Sequence, residues 1–238
     1  MFKEILQKVA NECNINFSDE QLSQFDCFYK MLIDWNKICN LTAITDPYDF
    51  AIKHIIDSIL LWNEEKFYNV KNVIDIGTGA GFPGIPLKIF KPQLEIILLD
   101  SLAKRIKFLM TVIDKIEMKD ITCIHSRAED AAQNPKLREN FDLVVSRAVA
   151  KLNILTEYCI PFVKIGGIFV AQKGPNVIEE VNEADKSIKI LGGNNKIEIK
   201  NLTLPNGDER NLIYIKKVVK TSNKFPRKAG LPEKKPLI

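Results

Sequence analysis

Apolar residues recur at helical spacing over the first part of the chain. One apolar stripe spans residues 2–9 and a second spans residues 22–33, and both show the three- and four-residue spacing of an amphipathic helix. Ser18 and Gln21 form a capping-box pair at the start of the second stripe. A third helical pattern starts at Asp46, with a proline in its first turn. The N-terminal region is therefore predicted to be helical.

The pattern changes from residue 70 onward, where short apolar runs alternate with helical segments. The runs that predict strands are Asn72–Ile76, Glu95–Asp100, Ile121–His125, Phe141–Ser146 and Gly167–Gln172. Strands separated by helices imply crossover connections and a parallel sheet. Two later strand-like runs, 196–204 and 209–218, are joined by a turn that contains Asn206-Gly207, a pair favoured in hairpins. The whole pattern predicts an α/β fold whose last strand is inserted antiparallel.

Three regions follow from these patterns: an N-terminal helical subdomain over residues 1–64, a sheet domain over residues 65–220, and a C-terminal tail over residues 221–238. The net charge of +4 is concentrated at the end of the chain. From Lys216 onward there are eight Lys or Arg residues and one acidic residue, whereas the preceding part holds 26 basic and 29 acidic residues. Such a tail can neutralise phosphates, through residues such as Arg227 and Lys228, or it can pack on the domain.

Composition argues against several classes of protein. The first ten residues alternate charged and apolar side chains, unlike a secretory signal, and no apolar run reaches the roughly 18 residues that span a bilayer. The five cysteines are scattered without Cys/His clustering, which indicates neither a disulfide framework nor a metal site. We therefore expect a soluble, cytoplasmic, monomeric protein that has no metal and no membrane contact.

A glycine-rich segment, Asp75–Gly84, lies where the first strand ends and the next helix begins. Glycines at such a turn let the backbone approach a ligand closely at a helix N-terminus, so a ligand site is predicted here. The glycines alone do not identify the ligand. Residues 79–84 also fit the GxGxxG pattern of dinucleotide-binding proteins, and Asp100 follows Gly79 by 21 residues.

Asp75 and the terminal hairpin favour S-adenosylmethionine, whereas Asp100 indicates a ribose of either cofactor. Asp75 stands two residues before the first glycine, where it can organise the loop and face a cationic sulfonium, whereas it would repel a pyrophosphate. Asp100 closes the second strand and can accept hydrogen bonds from the ribose hydroxyls of either cofactor. The terminal hairpin resembles the seven-stranded sheet of class I methyltransferases and is not expected of a simple dinucleotide fold.

Motifs along nearly the whole chain make a family resemblance specific. They are Asn40-Leu41-Thr42, His54-Ile55-Ile56-Asp57-Ser58, the glycine-rich segment through Pro86, Asp100-Ser101 with Lys104-Arg105, Ser126-Arg127-Ala128-Glu129, Ser146-Arg147-Ala148, Gln172-Lys173-Gly174 and Arg227-Lys228-Ala229-Gly230-Leu231-Pro232. In this order and spacing they resemble the RsmG (GidB) family of 16S rRNA (guanine-N7) methyltransferases. The resemblance implies a Rossmann-like class I methyltransferase fold with a mostly parallel seven-stranded sheet, S-adenosylmethionine as cofactor, and methylation of guanine 527 in the 530 loop.

The resemblance also implies roles for individual residues. The implied cofactor-binding residues are Asp75, Gly77, Gly79, Gly81, Phe82, Asp100, Ala128, Glu129 and Arg147. Arg147 is the implied catalytic residue, since a guanidinium can touch the cofactor, donate to base acceptors and stack on a ring; a surface salt bridge is the alternative. The implied substrate residues are His54, Lys173, Arg227 and Lys228. A packing role for His54 and a solvated position for Lys173 stay open.

The implied partner is 16S rRNA, in the small ribosomal subunit or in an assembly intermediate. N7 of guanine carries a free lone pair, so in-line transfer by proximity and orientation requires no general base. The base must be presented from a single-stranded loop or splayed out of its stack. The alternatives are a methyltransferase for another substrate, a nonenzymatic RNA-binding module with a degenerate pocket, and a dehydrogenase. Degeneration is disfavoured by the intact Asp75, Gly77, Gly79, Gly81 and Asp100.

Overall fold

The computed structural model describes residues 1–237. The helices are α1 (Phe2–Glu12), α2 (Asp19–Cys39), α3 (Pro47–Phe50), α4 (Asp57–Ile59), α5 (Gly84–Phe90), α6 (Ala103–Ile116), α7 (Ala128–Ala131), α8 (Leu152–Cys159), α9 (Ile178–Leu191) and α10 (Leu231–Lys234). A π-helical turn, Ala51–Ile56, joins α3 to α4, and a 3₁₀ turn, Ile160–Phe162, follows α8. The strands are β1 (Asn72–Ile76), β2 (Glu95–Asp100), β3 (Ile121–His125), β4 (Phe141–Arg147), β5 (Val163–Lys173), β6 (Glu198–Thr203) and β7 (Glu209–Lys216). Within residues 1–237, no helix is both long and apolar enough to cross a bilayer.

The strands form a seven-stranded sheet in the order β3-β2-β1-β4-β5-β7-β6. β1 to β5 are parallel, and β7 pairs antiparallel with β5 on one side and with β6 on the other. The order reverses at β1, because β2 and β3 lie on one side of it and β4 and β5 on the other. At such a switch point, a ligand crevice forms outside the carboxyl ends of the strands. The predicted mostly parallel sheet with an antiparallel last strand is confirmed.

Strand bounds differ most from the prediction at β5, which starts at Val163 rather than at Gly167. Phe141 of β4 pairs with Val163, but Leu143 pairs with Ile168, so the intervening part of β5 bulges out of register. Residues 164–166 are exposed, which hides the start of the strand from a search for apolar runs. Both strands of the terminal hairpin are shorter than predicted.

The predicted third helix begins as expected but is not regular. Asp46 caps α3 through its side chain, which accepts hydrogen bonds from Tyr48 N and Asp49 N. The chain then widens into the π turn, a distortion that is common at functional sites. His54 in this turn and Asp57 directly after it are both buried. The apolar periodicity of the sequence did not indicate this turn.

The N-terminal helices share their hydrophobic core with the sheet. Phe28 of α2 packs on Phe82 and on Phe108 of α6, with ring centroids 5.4 and 6.4 Å apart. The predicted capping box of α2 is present, and Gln21 Nε2 also donates a hydrogen bond to Ile89 O of α5 (2.9 Å). A fully buried phenylalanine contributes about 2 kcal/mol. These contacts fix α2 against α5 and α6, directly beside the glycine-rich loop.

Candidate functional site

The glycine-rich loop between β1 and α5 is organised by Asp75. Its side chain is fully buried, and Oδ2 accepts hydrogen bonds from Thr78 Oγ1 (2.7 Å) and Gly84 N (2.9 Å). Burial raises the pKa of Asp75 to about 7, although these two hydrogen bonds favour the carboxylate. Oδ1 is buried without a hydrogen-bond partner within residues 1–237. Asp75 therefore holds both ends of the loop in one conformation.

Asp100, the last residue of β2, holds the same loop from the neighbouring strand. Its Oδ2 accepts a hydrogen bond from Gly79 N (2.9 Å), and its Oδ1 accepts one from Leu102 N (2.9 Å). Arg105 Nη1 lies 3.3 Å from Oδ2. Because β1 and β2 are paired neighbours, the two carboxylates meet the loop from adjacent strand ends.

Asp100 lines a cleft of about 520 Å³ at the carboxyl ends of β1 to β4, which we call the Asp100 cleft. Asp100 and Glu129 supply carboxylates, and Leu99, Val149 and Ile154 supply apolar surface. Carboxylates can accept hydrogen bonds from ribose hydroxyls or an exocyclic amine, and apolar side chains can cover a purine. The lining therefore fits a nucleoside.

The predicted cofactor-binding residues fall into two groups. Those that line the Asp100 cleft are Gly77, Asp100, Ala128 and Glu129. Those that build the loop and the adjoining wall are Asp75, Gly79, Gly81, Phe82 and Arg147. Gly77 has a φ of +70°, and a Cβ atom there would lie 2.5 Å from Val149 Cγ2. Glycine is therefore required where the loop after β4 closes on the loop after β1.

Arg147, the last residue of β4, is held by four groups. Nη1 donates to Lys53 O (3.1 Å) and to Asp57 Oδ2 (3.1 Å), and Nη2 lies 3.3 Å from His54 Nδ1. The guanidinium carbon lies 5.0 Å from the centroid of the Phe82 ring. Burial lowers the pKa of Arg147, and the charge of Asp57 opposes that change. The guanidinium is thus fixed in position and orientation.

His54 supports Arg147 as a neutral imidazole. Its Nδ1 faces the donating guanidinium, so Nδ1 accepts and Nε2–H donates to Thr42 Oγ1 (2.8 Å). Burial, together with the charge of Arg147, lowers the pKa of His54 to about 3. The imidazole also stacks on Phe82, with ring centroids 4.2 Å apart and planes 10° apart. Phe82, predicted to contact the cofactor, packs directly beneath His54 and Arg147.

A second cleft, of about 390 Å³, lies on the other side of Arg147, and we call it the Arg147 cleft. Its lining includes the predicted residues Arg147, His54 and Lys173. Three further residues that sequence analysis did not assign to a site also line it: Asp57, Gln172 and Arg210. Arg210 Nε lies 3.4 Å from the same Asp57 Oδ2 that contacts Arg147. Arg210 reaches this cleft because of the register in which the predicted antiparallel strand β7 pairs with β5, and no local sequence signal indicates that register.

Lys173, a predicted substrate residue, is engaged with the protein. Its Nζ donates to Ala150 O (2.6 Å) and lies 2.7 Å from Glu180 Oε2. Glu180 Oε2 also accepts a hydrogen bond from Leu152 N (3.0 Å). Lys173 and Glu180 therefore fix residues 148–152, the segment between the two clefts. These contacts hold the Lys173 side chain in place, so the solvated position that the sequence left open for Lys173 is excluded.

The two predicted tail residues differ sharply. The Arg227 side chain makes a bidentate ion pair with Glu157 of α8, with Nη2 2.6 Å from Oε2, whereas Lys228 is exposed. Close by, Gly230 N donates to Glu129 Oε1 (2.8 Å). Residues 221–234 thus pack on the domain, one of the two positions that the sequence allowed.

The sheet order and a nucleoside-sized cleft at its switch point are those of the class I methyltransferase fold. Among solved structures, an O-methyltransferase from Bacillus cereus in complex with SAH has a similar fold, with a TM-score of 0.58. That similarity covers 91 % of this chain and 100 % of that chain at 12 % sequence identity, so it concerns the fold alone.

Sequence relatives identify the family. The family described as rRNA small subunit methyltransferase G matches residues 21–219. A protein from Clostridium kluyveri named ribosomal RNA small subunit methyltransferase G is 49 % identical over 236 residues, which are 98 % of each chain. One of the same name from Desulforamulus reducens is 49 % identical over 233 residues, or 98 % of this chain and 97 % of the relative. The chain belongs to the rRNA small subunit methyltransferase G family.

Family membership confirms the resemblance that the motifs indicated, and it confirms S-adenosylmethionine as the cofactor. The Asp100 cleft fits this cofactor, since it offers carboxylates for an adenosine and an apolar lining for its base. The dehydrogenase alternative is excluded with the family assignment. The role of each residue in binding cofactor and substrate stays a prediction.

Proposed function

We propose that the protein transfers a methyl group from S-adenosylmethionine to N7 of a guanine in 16S rRNA of the small ribosomal subunit, guanine 527 in the 530 loop. When bound, the cofactor supplies an electrophilic methyl group on a sulfonium. Family membership supports methylation of small-subunit rRNA. The observation that supports a guanine acceptor is the Arg147 cleft and the donors and acceptors that line it.

The Arg147 cleft adjoins the Asp100 cleft at Ala148, which lines both. Guanine presents O6 as an acceptor, to which Arg147 or Arg210 can donate, and the lone pair of N7 stays free for the methyl group. The Asp57 carboxylate can accept from the N1–H and the 2-amino group of guanine, and adenine has no N1–H. The cleft thus combines donors and an acceptor that suit a guanine.

The side chains around Arg147 are arranged for binding and orientation rather than for proton removal. Both ring nitrogens of His54 are engaged, and Asp57 Oδ2 is shared by two guanidinium groups. An N–H or O–H acceptor would have to lose a proton on methylation, whereas N7 has a free lone pair. Because neither His54 nor Asp57 is free to take up a proton, the site favours N7 as the methyl acceptor. Alignment of the cofactor and the guanine then supplies most of the rate acceleration.

Exposed cations that line the Asp100 cleft, together with others in the C-terminal part, can contact the RNA backbone. Arg127 and Lys151 line the Asp100 cleft and are exposed. The exposed cations of the C-terminal part are Lys216, Lys220, Lys224, Lys228, Lys234 and Lys235. Contacts of this kind position an RNA without reading its sequence, and they weaken as salt concentration rises.

The proposal is tested by labelling. Small subunits, an assembly intermediate and naked 16S rRNA are each incubated with tritium-labelled methyl donor, and the RNA is digested to nucleosides. We expect the label in 7-methylguanosine at one position. The amount of label in each of the three substrates shows in which of them the loop that carries the guanine is accessible to the enzyme. Label in an adenine or in protein would contradict the proposal.

Arg147→Ala should reduce transfer by at least about 100-fold, because the acceptor base loses its fixed donor. The variant should still bind S-adenosylhomocysteine, since Arg147 does not line the Asp100 cleft. Lys107→Ala, on the exposed side of α6, is the control and should leave transfer unchanged. Unchanged transfer by Arg147→Ala would show that the acceptor does not depend on this guanidinium.

A further inference from the structure

The C-terminal segment, residues 217–237, runs from the end of β7 to the mouth of the Asp100 cleft. We infer that this segment is a structural part of the cofactor site, and that the Arg227–Glu157 ion pair is a positioning pair that sets cofactor affinity. The inference rests on the proposed function only for the identity of the nucleoside ligand. It does not depend on which base is methylated.

The ion pair joins a half-buried arginine to a buried carboxylate and is geometrically specific. Arg227 Nε lies 2.9 Å from Glu157 Oε1, Nη2 lies 2.6 Å from Oε2, and Arg227 N also donates to Oε1 (2.8 Å). Glu157 is 0 % exposed. A bidentate contact fixes orientation as well as distance. Because an unpaired buried carboxylate is strongly unfavourable, the contact holds the chain at Arg227 firmly against α8.

The residues that follow Arg227 reach the cleft itself. Gly230 N donates to Glu129 Oε1 (2.8 Å), and Glu129 is one of the three carboxylates in the lining, with Asp100 and Glu233. Glu233 of α10 lines the cleft, as does Tyr158 of α8. The segment therefore orients one lining side chain and supplies another.

Further contacts dock the segment along its length. Arg138 Nη1 donates to Phe225 O (2.8 Å), and Arg138 Nη2 donates to Thr221 O (2.9 Å). The ammonium of Lys217, 1 % exposed, lies 2.8 Å from Glu139 Oε1 and donates to Thr221 Oγ1 (2.7 Å). A solvated tail would not bury charged side chains in this way. The Arg227–Glu157 pair is the last of these anchors before the cleft.

Arg227 and Lys228 form a matched pair for an experiment. They are adjacent cations, but Arg227 is paired with a buried carboxylate and Lys228 is exposed. If the segment acts on the cofactor, substitution of Arg227 should weaken nucleoside binding and substitution of Lys228 should not. If the segment acts mainly by binding RNA, both substitutions should weaken RNA binding and neither should change nucleoside affinity.

Titration calorimetry with S-adenosylhomocysteine and the RNA-free protein measures the effect directly. We expect Arg227→Met to raise the Kd at least about tenfold, and Lys228→Met to leave it within about twofold. In steady state, Arg227→Met should raise KM for the methyl donor while kcat at saturating donor stays close to that of the original protein. The salt dependence of rRNA binding should be unchanged by Arg227→Met. Thermal melting shows whether the variant is folded, and Arg227→Lys, which keeps the charge but loses the fork, should give an intermediate Kd.

A shortened chain that ends at Ala229 separates positioning from general stability. It keeps the Arg227–Glu157 pair but lacks Gly230 and Glu233, so it should show the same loss of nucleoside affinity as Arg227→Met. In that shortened chain, Arg227→Met should cause little further loss, because the pair acts through the missing residues. Nucleoside affinity that survives either change, or a shifted salt dependence of RNA binding in Arg227→Met, would overturn the inference. The proposed guanine acceptor would stand in that case, because no RNA is present in the binding measurement.

Discussion

Acid should destabilise this protein through His54, and His54→Asn should remove that effect. The pKa of His54 is lowered from 6.5 to about 3 in the folded protein, because the ring is buried and faces Arg147. The unfolded chain therefore binds a proton at His54 below about pH 6.5, while the folded chain does so only near pH 3. Stability from the neutral imidazole is present above about pH 6.5 and is lost as the pH falls toward about 3.

The size of the effect follows from these two pKa values. Each pH unit below the unfolded pKa costs about 1.4 kcal/mol, so lowering the pH from about 7.5 to about 5 costs about 2 kcal/mol through His54. Asp75 acts in the opposite direction, because burial raises its pKa from 3.8 to about 7. Over the same interval it adds about 2.5 kcal/mol of stability as the pH falls. The two groups offset each other in the original protein and must be separated by substitution.

Urea denaturation at about pH 7.5 and about pH 5 gives the free energy of unfolding for each variant. For each protein, the free energy of unfolding at about pH 5 is compared with that at about pH 7.5. This change should be more favourable by about 2 kcal/mol in His54→Asn than in the original protein, because the variant lacks the loss through His54. A constant cost from the lost stacking on Phe82 cancels in this comparison. His125→Asn is the control, since His125, the other of the two histidines, is exposed. If His54→Asn and the original protein share one pH dependence, the imidazole is not held neutral by its surroundings.

Two further predictions use the glycine-rich loop. Asp75→Asn keeps an acceptor for Thr78 and Gly84 but cannot ionise. The stability that Asp75 loses as the pH rises from about 4 to about 7 should therefore be absent from this variant in the same denaturation assay. Gly77→Ala should cost about 1 to 3 kcal/mol and should also weaken S-adenosylhomocysteine binding in calorimetry, because the new Cβ collides with Val149. Gly207→Ala is the control, because Gly207 also has a positive φ (+87°) but nothing lies within 4 Å of the new Cβ. It should show a similar backbone strain and keep full affinity for S-adenosylhomocysteine. Equal affinity of the two variants for this ligand would contradict the assignment of the cleft.

The order of elements could be predicted from the sequence because the strands and helices of this fold are locally consistent. Alternating apolar runs and helical segments indicated five parallel strands, and the Asn206-Gly207 turn indicated the hairpin that ends the sheet. The irregular elements were missed. A π turn at Ala51–Ile56 and a bulge at the start of β5 insert residues into a regular period, and periodicity cannot show where an insertion falls.

For the candidate site, sequence reasoning found the residues on single motifs and missed those brought in by distant elements. Asp100 ends one predicted strand, Glu129 follows the next, and both line the Asp100 cleft. Arg210 lines the Arg147 cleft only because β7 is inserted beside β5. The antiparallel last strand was predicted, but no spacing along the chain gives the register that brings Arg210 to the cleft, since β7 is separated from β5 by a helix and another strand.

The sequence by itself determined the class of fold, the glycine-rich loop with its two acids, and the family. These depend on local periodicity and on the order of motifs, which are fixed along the chain. Only the tertiary structure decided which charges are free. The family resemblance implied that Lys173 and Arg227 contact the substrate, but in space Glu180 and Glu157 engage them, and Glu157 lies 70 residues from Arg227 along the chain. Ion pairing depends on distances between side chains, and those distances exist only once the sheet has assembled.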